Sequence, residues 1–288
     1  MEQAHVTKHK LTLLKPEEIG SRHHDIGKFF SSLPPIILFA LMVISYTLVV
    51  ALGVFIGSAK YLGYLHIPES PIETAVASVF GLLAFILGFT FSLTWSRFAN
   101  RNALVIQQAQ AINVCYLRTS LITDRQKLEI RKLLKEYVHV LLTIQRTPDV
   151  ELQRSLIRME ELHDLIWRQV ATLPSEEIDS EMRSLFVSSV NELFSISAER
   201  KTVALMFRIP DIIWGSVLFL AFVGMLAFGY QAGASGMNKL IQLPWLPVAF
   251  GLVIVLIADL NSTSIQRHFK VTQQPLRDVM AIMERDIP

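Results

Sequence analysis

Residues 84–98 read AFILGFTFSLTWSRF, and this stretch has no charged side chain before Arg97. Three phenylalanines and a tryptophan precede that arginine and lie among small residues. Such a segment is typical of a lipid anchor, of a packed helix seam, or of the wall of a pore. The function of the chain depends on which of the three it is.

Long uncharged runs account for the apolar composition of the chain. Hydrophobic residues make up 51% of it and charged residues 18%, and the mean hydropathy is +0.41. A helix of roughly 20 apolar residues crosses the hydrocarbon core of a bilayer. Three runs meet or nearly meet that length, and the fourth is shorter unless Leu240 and Leu260 are included. The sequence therefore predicts an all-α integral membrane protein with four transmembrane helices, in the uncharged runs 36–56, 75–96, 212–230 and 243–258.

The distribution of lysine and arginine predicts the orientation of these helices. Basic residues cluster before the first run, after the second and after the fourth, whereas Lys60 and Lys239 stand alone in the other two loops. Positive loops stay in the cytoplasm, which predicts a multi-pass protein of the cell (inner) membrane with both termini inside. The segments are a cytoplasmic N-terminal tail 1–33, transmembrane helices one and two 34–96, a cytoplasmic helical region 97–211, transmembrane helices three and four 212–262, and a cytoplasmic C-terminal segment 263–288.

The cytoplasmic region has the pattern of amphipathic helices. No glycine or proline interrupts the sequence between Asn100 and Leu121, so the second transmembrane helix should continue as a rod about 70 Å long. Thr123 and Gln126 fit a capping box at the next helix start. Ser175, followed by two glutamates, fits the N-cap of a later helix.

Catalytic signatures are lacking. The sequence has no P-loop, G-x-G-x-x-G, H-E-x-x-H or G-x-S-x-G motif, so we expect no enzyme, no cofactor and no metal site. The net charge of +2, with basic residues mixed among acids, gives no case for nucleic acid. Asp259 is the ionisable residue closest to the membrane interior. It has either a functional role there or a simple contact with lipid headgroups or Arg267.

The second transmembrane helix carries two adjacent stripes. Phe85 and Phe89 are four residues apart and therefore stack along one side of the helix. Helix packing with lipid-facing aromatics is one interpretation of these stripes, and a hydrophobic constriction in a pore is the other. The second stripe consists of small residues at three- and four-residue spacing, namely Ala77, Gly81, Ala84, Gly88, Ser92 and Ser96.

The stretch FILGFTFSLTWSRF resembles the second transmembrane helix of bestrophins, with Phe85, Leu87-Gly88-Phe89 and Arg97-Phe98 as the matching residues. The whole chain, from about residue 35 to 283, resembles the bacterial bestrophin-like membrane family. The segments that carry this resemblance are GFTFSLTWSRFANRNALVIQQAQAI (88–112), RIPDIIW (208–214) and IADLNSTSIQRHFKVTQQPLRDVM (257–280).

The resemblance implies a fold and a function. Bestrophins are pentameric anion channels with four membrane helices per subunit, and a neck of bulky apolar residues on the second helix narrows their pore. Phe85 and Phe89 match two neck positions, and the third falls on Gly81, which implies a wider or displaced neck. The end of the fourth helix lacks the acidic cluster of calcium-gated bestrophins, so calcium gating is not implied.

Two functions follow as expectations. The first is a homo-oligomeric channel, pentameric by the resemblance, that lies in the lipid bilayer and passes small anions such as chloride. Its pore would be lined by Phe85, Phe89, Gly81, Gly88 and Ser92, with Arg97, Phe98 and Asp259 at the inner pore or at an interface. The second is a non-conducting membrane scaffold whose cytoplasmic helices bind a protein partner. An intramembrane enzyme or transporter has little support, because the membrane helices show neither breaks nor charges near the midplane.

Overall fold

The computed structural model describes residues 33–61, 72–144, 149–176, 178–206, 209–235, 245–262 and 271–286. Residues 1–32 of the predicted N-terminal tail, Lys239, Arg267 and Lys270 lie outside these ranges. The described ranges are helical throughout apart from short connections. The helices are α1 (Pro35–Tyr61), α2 (Ile72–Arg118), α3 (Asp124–Ile144), α4 (Asp149–Thr172), α5 (Ser180–Met206), α6 (Asp211–Ala234), α7 (Trp245–Asn261) and α8 (Gln274–Arg285), with 3₁₀ turns at Thr119–Leu121 and Leu173–Ser175.

Three of these helices, α1, α2 and α6, are long and apolar enough to cross a bilayer. They indicate a membrane protein. The apolar helix α7 has 17 residues and therefore extends about 25 Å, somewhat less than the hydrocarbon core. The helix α2 has 47 residues and runs without a break from the apolar half into the polar half, which confirms the rod expected from the sequence.

Glycines bring the backbones of α1 and α6 into direct contact. These two helices share the most extensive contact of any helix pair in the described ranges. A Cβ atom added at Gly229 of α6 would lie 2.1 Å from the carbonyl oxygen of Val50 in α1, and one added at Gly53 would lie 2.3 Å from that of Leu226. Gly57 and Gly233 are equally close to the opposite backbone. Each helix thus presents a G-x-x-x-G pair, the spacing by which membrane helices approach most closely.

The apolar core of the membrane half lies between α1, α2, α6 and α7. Its fully buried members include Leu38, Leu83, Trp214 and Ile254, one from each helix. Because one side of α2 packs into this core, the opposite side of the same helix remains uncovered.

The polar half of the molecule is a helical bundle. The second half of α2 packs with α3, α4, α5 and α8 around a core that includes Ile112, Leu134, Ile166, Phe186 and Leu276. This bundle places the long helix α2 at the junction of both cores.

Two predicted caps are wrong. The hydroxyl of Thr123 makes no hydrogen bond, and Gln126 donates from Nε2 to Glu176 instead of reaching back to the helix start. Asp179, not Ser175, caps α5, because its carboxylate accepts from the backbone amide of Glu181 at 2.8 Å. The packing of the bundle gives Gln126 a partner on another segment, and α5 begins at Ser180, beyond the predicted cap at Ser175.

A buried polar chain crosses the bundle. Nε2 of Gln108 donates to the hydroxyl of Tyr137 at 2.7 Å, and that hydroxyl donates to Ser197 at 3.0 Å. The guanidinium of Arg200 donates to Oε1 of Gln108. Burial raises the pKa of Tyr137 to about 12. These hydrogen bonds tie α2, α3 and α5 together, and burial keeps Tyr137 neutral.

His163 lies beside this chain, between the rings of Tyr137 and Phe194 at centroid distances of 5.3 and 4.3 Å. Its Nε2 is buried and makes no hydrogen bond. Burial lowers its pKa, while Glu160 and Asp164 act in the opposite direction and Lys201 adds to the lowering. The structure therefore holds this imidazole in its neutral form.

We expect acidification to destabilise the bundle through His163. The unfolded chain takes up a proton near pH 6.5, whereas the folded chain does so only at a lower pH. The contribution of neutral His163 to stability is therefore fully present above about pH 6.5. It is lost as the pH falls from there to the folded pKa of His163. The melting temperature should fall from pH 7.5 to pH 5, and His163→Phe should weaken that dependence while keeping the ring packing. His139→Phe, at an exposed position of α3, is the matched control. An unchanged pH dependence in His163→Phe would contradict the assignment.

Candidate functional site

One side of α2 remains exposed along nearly its whole length. We call this side the open face. It passes from the apolar half of the helix into the polar half and carries no charged side chain. Its exposed residues include Ala77, Gly81, Phe85, Gly88, Phe89, Ser92, Ser96, Asn100, Gln107, Gln110, Val114 and Leu117.

The five residues expected to line a pore all lie on the open face. Phe85 is 73% exposed and Phe89 is 56% exposed, and Ser92 is exposed one turn further on. A Cβ atom added at Gly81 or Gly88 would meet nothing within 4 Å in the described structure. The small-residue stripe is therefore not a seam within the subunit, where the close helix contact is between α1 and α6.

A groove of about 590 Å³ continues the open face beyond the apolar segment. It lies between α2 and α5 and is lined by Gln107, Gln110, Ala111, Val114, Glu192 and Ile196. Side-chain amides dominate its polar lining, and Glu192 is the charged residue among the six. The groove gives the open face a hydrogen-bonding surface in the polar half of the molecule, with Glu192 as its charged member.

The three residues expected at the inner pore or interface lie away from the open face. Arg97 and Phe98 are partly buried, and Phe98 contacts the ring of Trp95 at a centroid distance of 6.0 Å. Asp259 is buried near the end of α7. The helices α2 and α7 meet where Nη2 of Arg101 donates to the carbonyl oxygen of Leu260 at 2.5 Å.

Sequence reasoning missed two features of this region. One is Arg101, which lies one helical turn after Arg97 and joins α2 to α7. The four-residue spacing of these two arginines in the sequence could have pointed to it. The other is the pair of glycine motifs in α1 and α6, visible as G-x-x-x-G in two apolar runs. In the described ranges, no group of three or more histidine, cysteine, aspartate or glutamate side chains is placed to bind a metal ion.

Comparison with known proteins identifies similar folds. A model of the bestrophin-like domain family matches residues 69–275. No curated protein matches the chain. The crystal structure of a bacterial bestrophin homolog from Klebsiella pneumoniae, in a leucine-to-threonine variant, is similar with a TM-score of 0.60 at 14% identity, over 86% of this chain and 96% of that one. A tyrosine-to-alanine variant of the Klebsiella homolog gives a TM-score of 0.60 at 16% identity, over 84% and 96%. At these identities the structural likeness establishes the fold.

Proposed function

Because the chain belongs to the bestrophin-like domain family, we propose that it is a homo-oligomeric membrane channel that passes small anions such as chloride along the open face of α2. The observation that carries this proposal is the continuity of that face, which is exposed from the apolar half into the polar bundle. A lipid-facing helix needs only an apolar exposed side. Here the exposed side continues past the apolar segment with amide side chains beside the apolar Val114 and Leu117, as a conduit would require.

The charges of α2 favour anions. After Glu73 the helix carries no acidic residue, and its three charged residues, Arg97, Arg101 and Arg118, are all basic. Arg97 and Arg101 lie behind the open face, so they act on the path through their positive potential, which raises the local concentration of anions along low-dielectric walls. Glu192 is the one opposing charge that lines the groove.

The neck of the proposed pore consists of Phe85 and Phe89. Their rings project from the exposed side of α2, where copies arranged around an axis would form two apolar rings. Hydrophobic constrictions of this kind gate by dewetting. Gly81, Gly88 and Ser92 supply wider positions on either side, and Arg97, Phe98 and Asp259 support the inner end of α2 rather than line the path.

The proposed assembly follows from the family resemblance and from the apolar helices. We place α7 in the membrane as a fourth span beside α1 and α2, with both termini and the helical bundle in the cytoplasm of the cell (inner) membrane. The subunit number that the resemblance implies is five. Imaging the oligomer tests both points, and a central axis far from Phe89 would contradict the proposal.

The alternative is a non-conducting scaffold whose bundle binds a protein partner. It is favoured by large apolar side chains that are exposed in the polar half, among them Ile157, Trp167, Met182 and Leu185. Two of these lie on α4 and two on α5. A stoichiometric partner protein together with the absence of ion flux would support the scaffold over the channel.

Flux measurements test the channel directly. Purified protein in liposomes should carry chloride under an imposed potential, and Gln107→Glu should reduce this flux, because rings of acidic side chains oppose anions. The change is isosteric, so folding should be preserved. Gln153→Glu, at an exposed position of α4, is the matched control and should conduct as the wild type does. Wild-type flux no greater than that of empty liposomes would overturn the proposal.

A further inference from the structure

Two arginines stand at the point where α2 leaves its apolar segment. Arg97 is the first charged residue after the uncharged run 75–96, and Arg101 follows one turn later. Both are partly buried on the side of the helix opposite the open face. Trp95, which is half-exposed, lies at the same level and has the amphipathic ring typical of a membrane interface.

The hydrogen bonds of these arginines are incomplete. Nη2 of Arg101 donates to the carbonyl of Leu260, in the last turn of α7, where the helix dipole is negative. Nε of Arg101 and Nη1 of Arg97 are buried and make no hydrogen bond in the described structure. Two buried donors on charged groups therefore remain unsatisfied within one helical turn.

No carboxylate of the described ranges forms an ion pair with either arginine. Asp259 is buried one residue before Leu260 and has interactions of its own. A buried charged donor without a partner costs free energy, and neighbouring like charges add repulsion. An anion between the two guanidinium groups would accept their unpaired hydrogen bonds and would reduce the repulsion between their charges.

We propose that Arg97 and Arg101 form a binding site for a phosphate group at the membrane boundary of α2. Guanidinium groups present their donors in a planar fork that matches phosphate oxygens. At this level of the bilayer the abundant source of phosphate is the headgroup of an anionic lipid, and basic pockets between membrane helices bind such headgroups. The site lies behind the open face and does not depend on conduction.

Lipid binding to the purified full-length protein tests the site. Phosphatidylglycerol added to the protein in neutral detergent should raise the melting temperature more than phosphatidylcholine does, and high salt should weaken the effect. Arg97→Gln should weaken the affinity for phosphatidylglycerol by about tenfold or more, since a charge-assisted hydrogen bond is lost. Arg97 is the better target because Arg101 also holds the end of α7.

Arg118→Gln is the matched control, since it removes an arginine from the same helix, farther from the apolar run. It should bind lipid as the wild type does. A parallel titration with inorganic phosphate distinguishes the two sources: protection by phosphate but not by phosphatidylglycerol confirms the site and assigns it to a soluble ion. Equal lipid affinity in Arg97→Gln and Arg118→Gln overturns the proposal. The proposal is also overturned if neither lipid nor phosphate stabilises the wild type. This second test does not depend on whether a variant folds.

Discussion

A variant with both Phe85→Ala and Phe89→Ala should conduct chloride several-fold faster than the wild type in liposomes. Both rings lie on the open face, and in an oligomer each substitution is repeated around the axis. Removing the rings would widen the proposed constriction and reduce its tendency to exclude water, so an anion would lose less of its hydration. The measurement is the initial rate of chloride efflux at a fixed protein-to-lipid ratio.

The control uses phenylalanines that are equally exposed on other membrane helices. Phe55 of α1 is 74% exposed and Phe219 of α6 is 66% exposed, so a Phe55→Ala, Phe219→Ala variant loses the same number of rings. It should conduct as the wild type does. If both double variants raise the flux equally, the effect comes from looser packing in the bilayer and α2 does not form the neck.

Gly229→Ala should lower the free energy of unfolding by about 3 kcal/mol or more, as severe overpacking does. The new methyl group would lie 2.1 Å from the carbonyl oxygen of Val50. The clash is with backbone, so no side chain can rotate to relieve it. The two helices must separate, and the close contacts at Gly53, Gly57 and Gly233 weaken together. Unfolding in detergent, followed by circular dichroism, measures the change.

Gly215→Ala is the matched control on the same helix, because a Cβ atom there meets nothing within 4 Å. It should be neutral or slightly stabilising, since alanine is the better helix former. Equal stability of Gly229→Ala and Gly215→Ala would contradict the backbone contact between α1 and α6.

The sequence predicted helices better than their caps. The rod of α2 was predictable because a long run without glycine or proline favours an unbroken helix, and its apolar half is long and apolar enough to cross a bilayer. The capping box at Thr123 was wrong although its spacing was ideal. Gln126 lies close enough to Glu176 to donate to it, and only the packed bundle brings these two residues together.

The candidate site was likewise predicted only in part from the sequence. The four-residue spacing of Phe85 and Phe89 placed them on one side of α2 before any tertiary contact was known. Spacing alone did not decide whether that side was covered. The structure leaves it exposed because α6 and α7 pack against the opposite side, and it puts the close glycine packing between α1 and α6.

By itself, the sequence determined the helical class and the apolar segments, because these depend on composition and periodicity along one chain, and its matching segments carried the family resemblance. The tertiary structure decided which face of α2 remains open, how Arg101 meets the end of α7, and where His163 is buried. Those features depend on contacts between residues far apart in the sequence. The free energies of these contacts exceed the local conformational preferences from which a sequence pattern predicts structure.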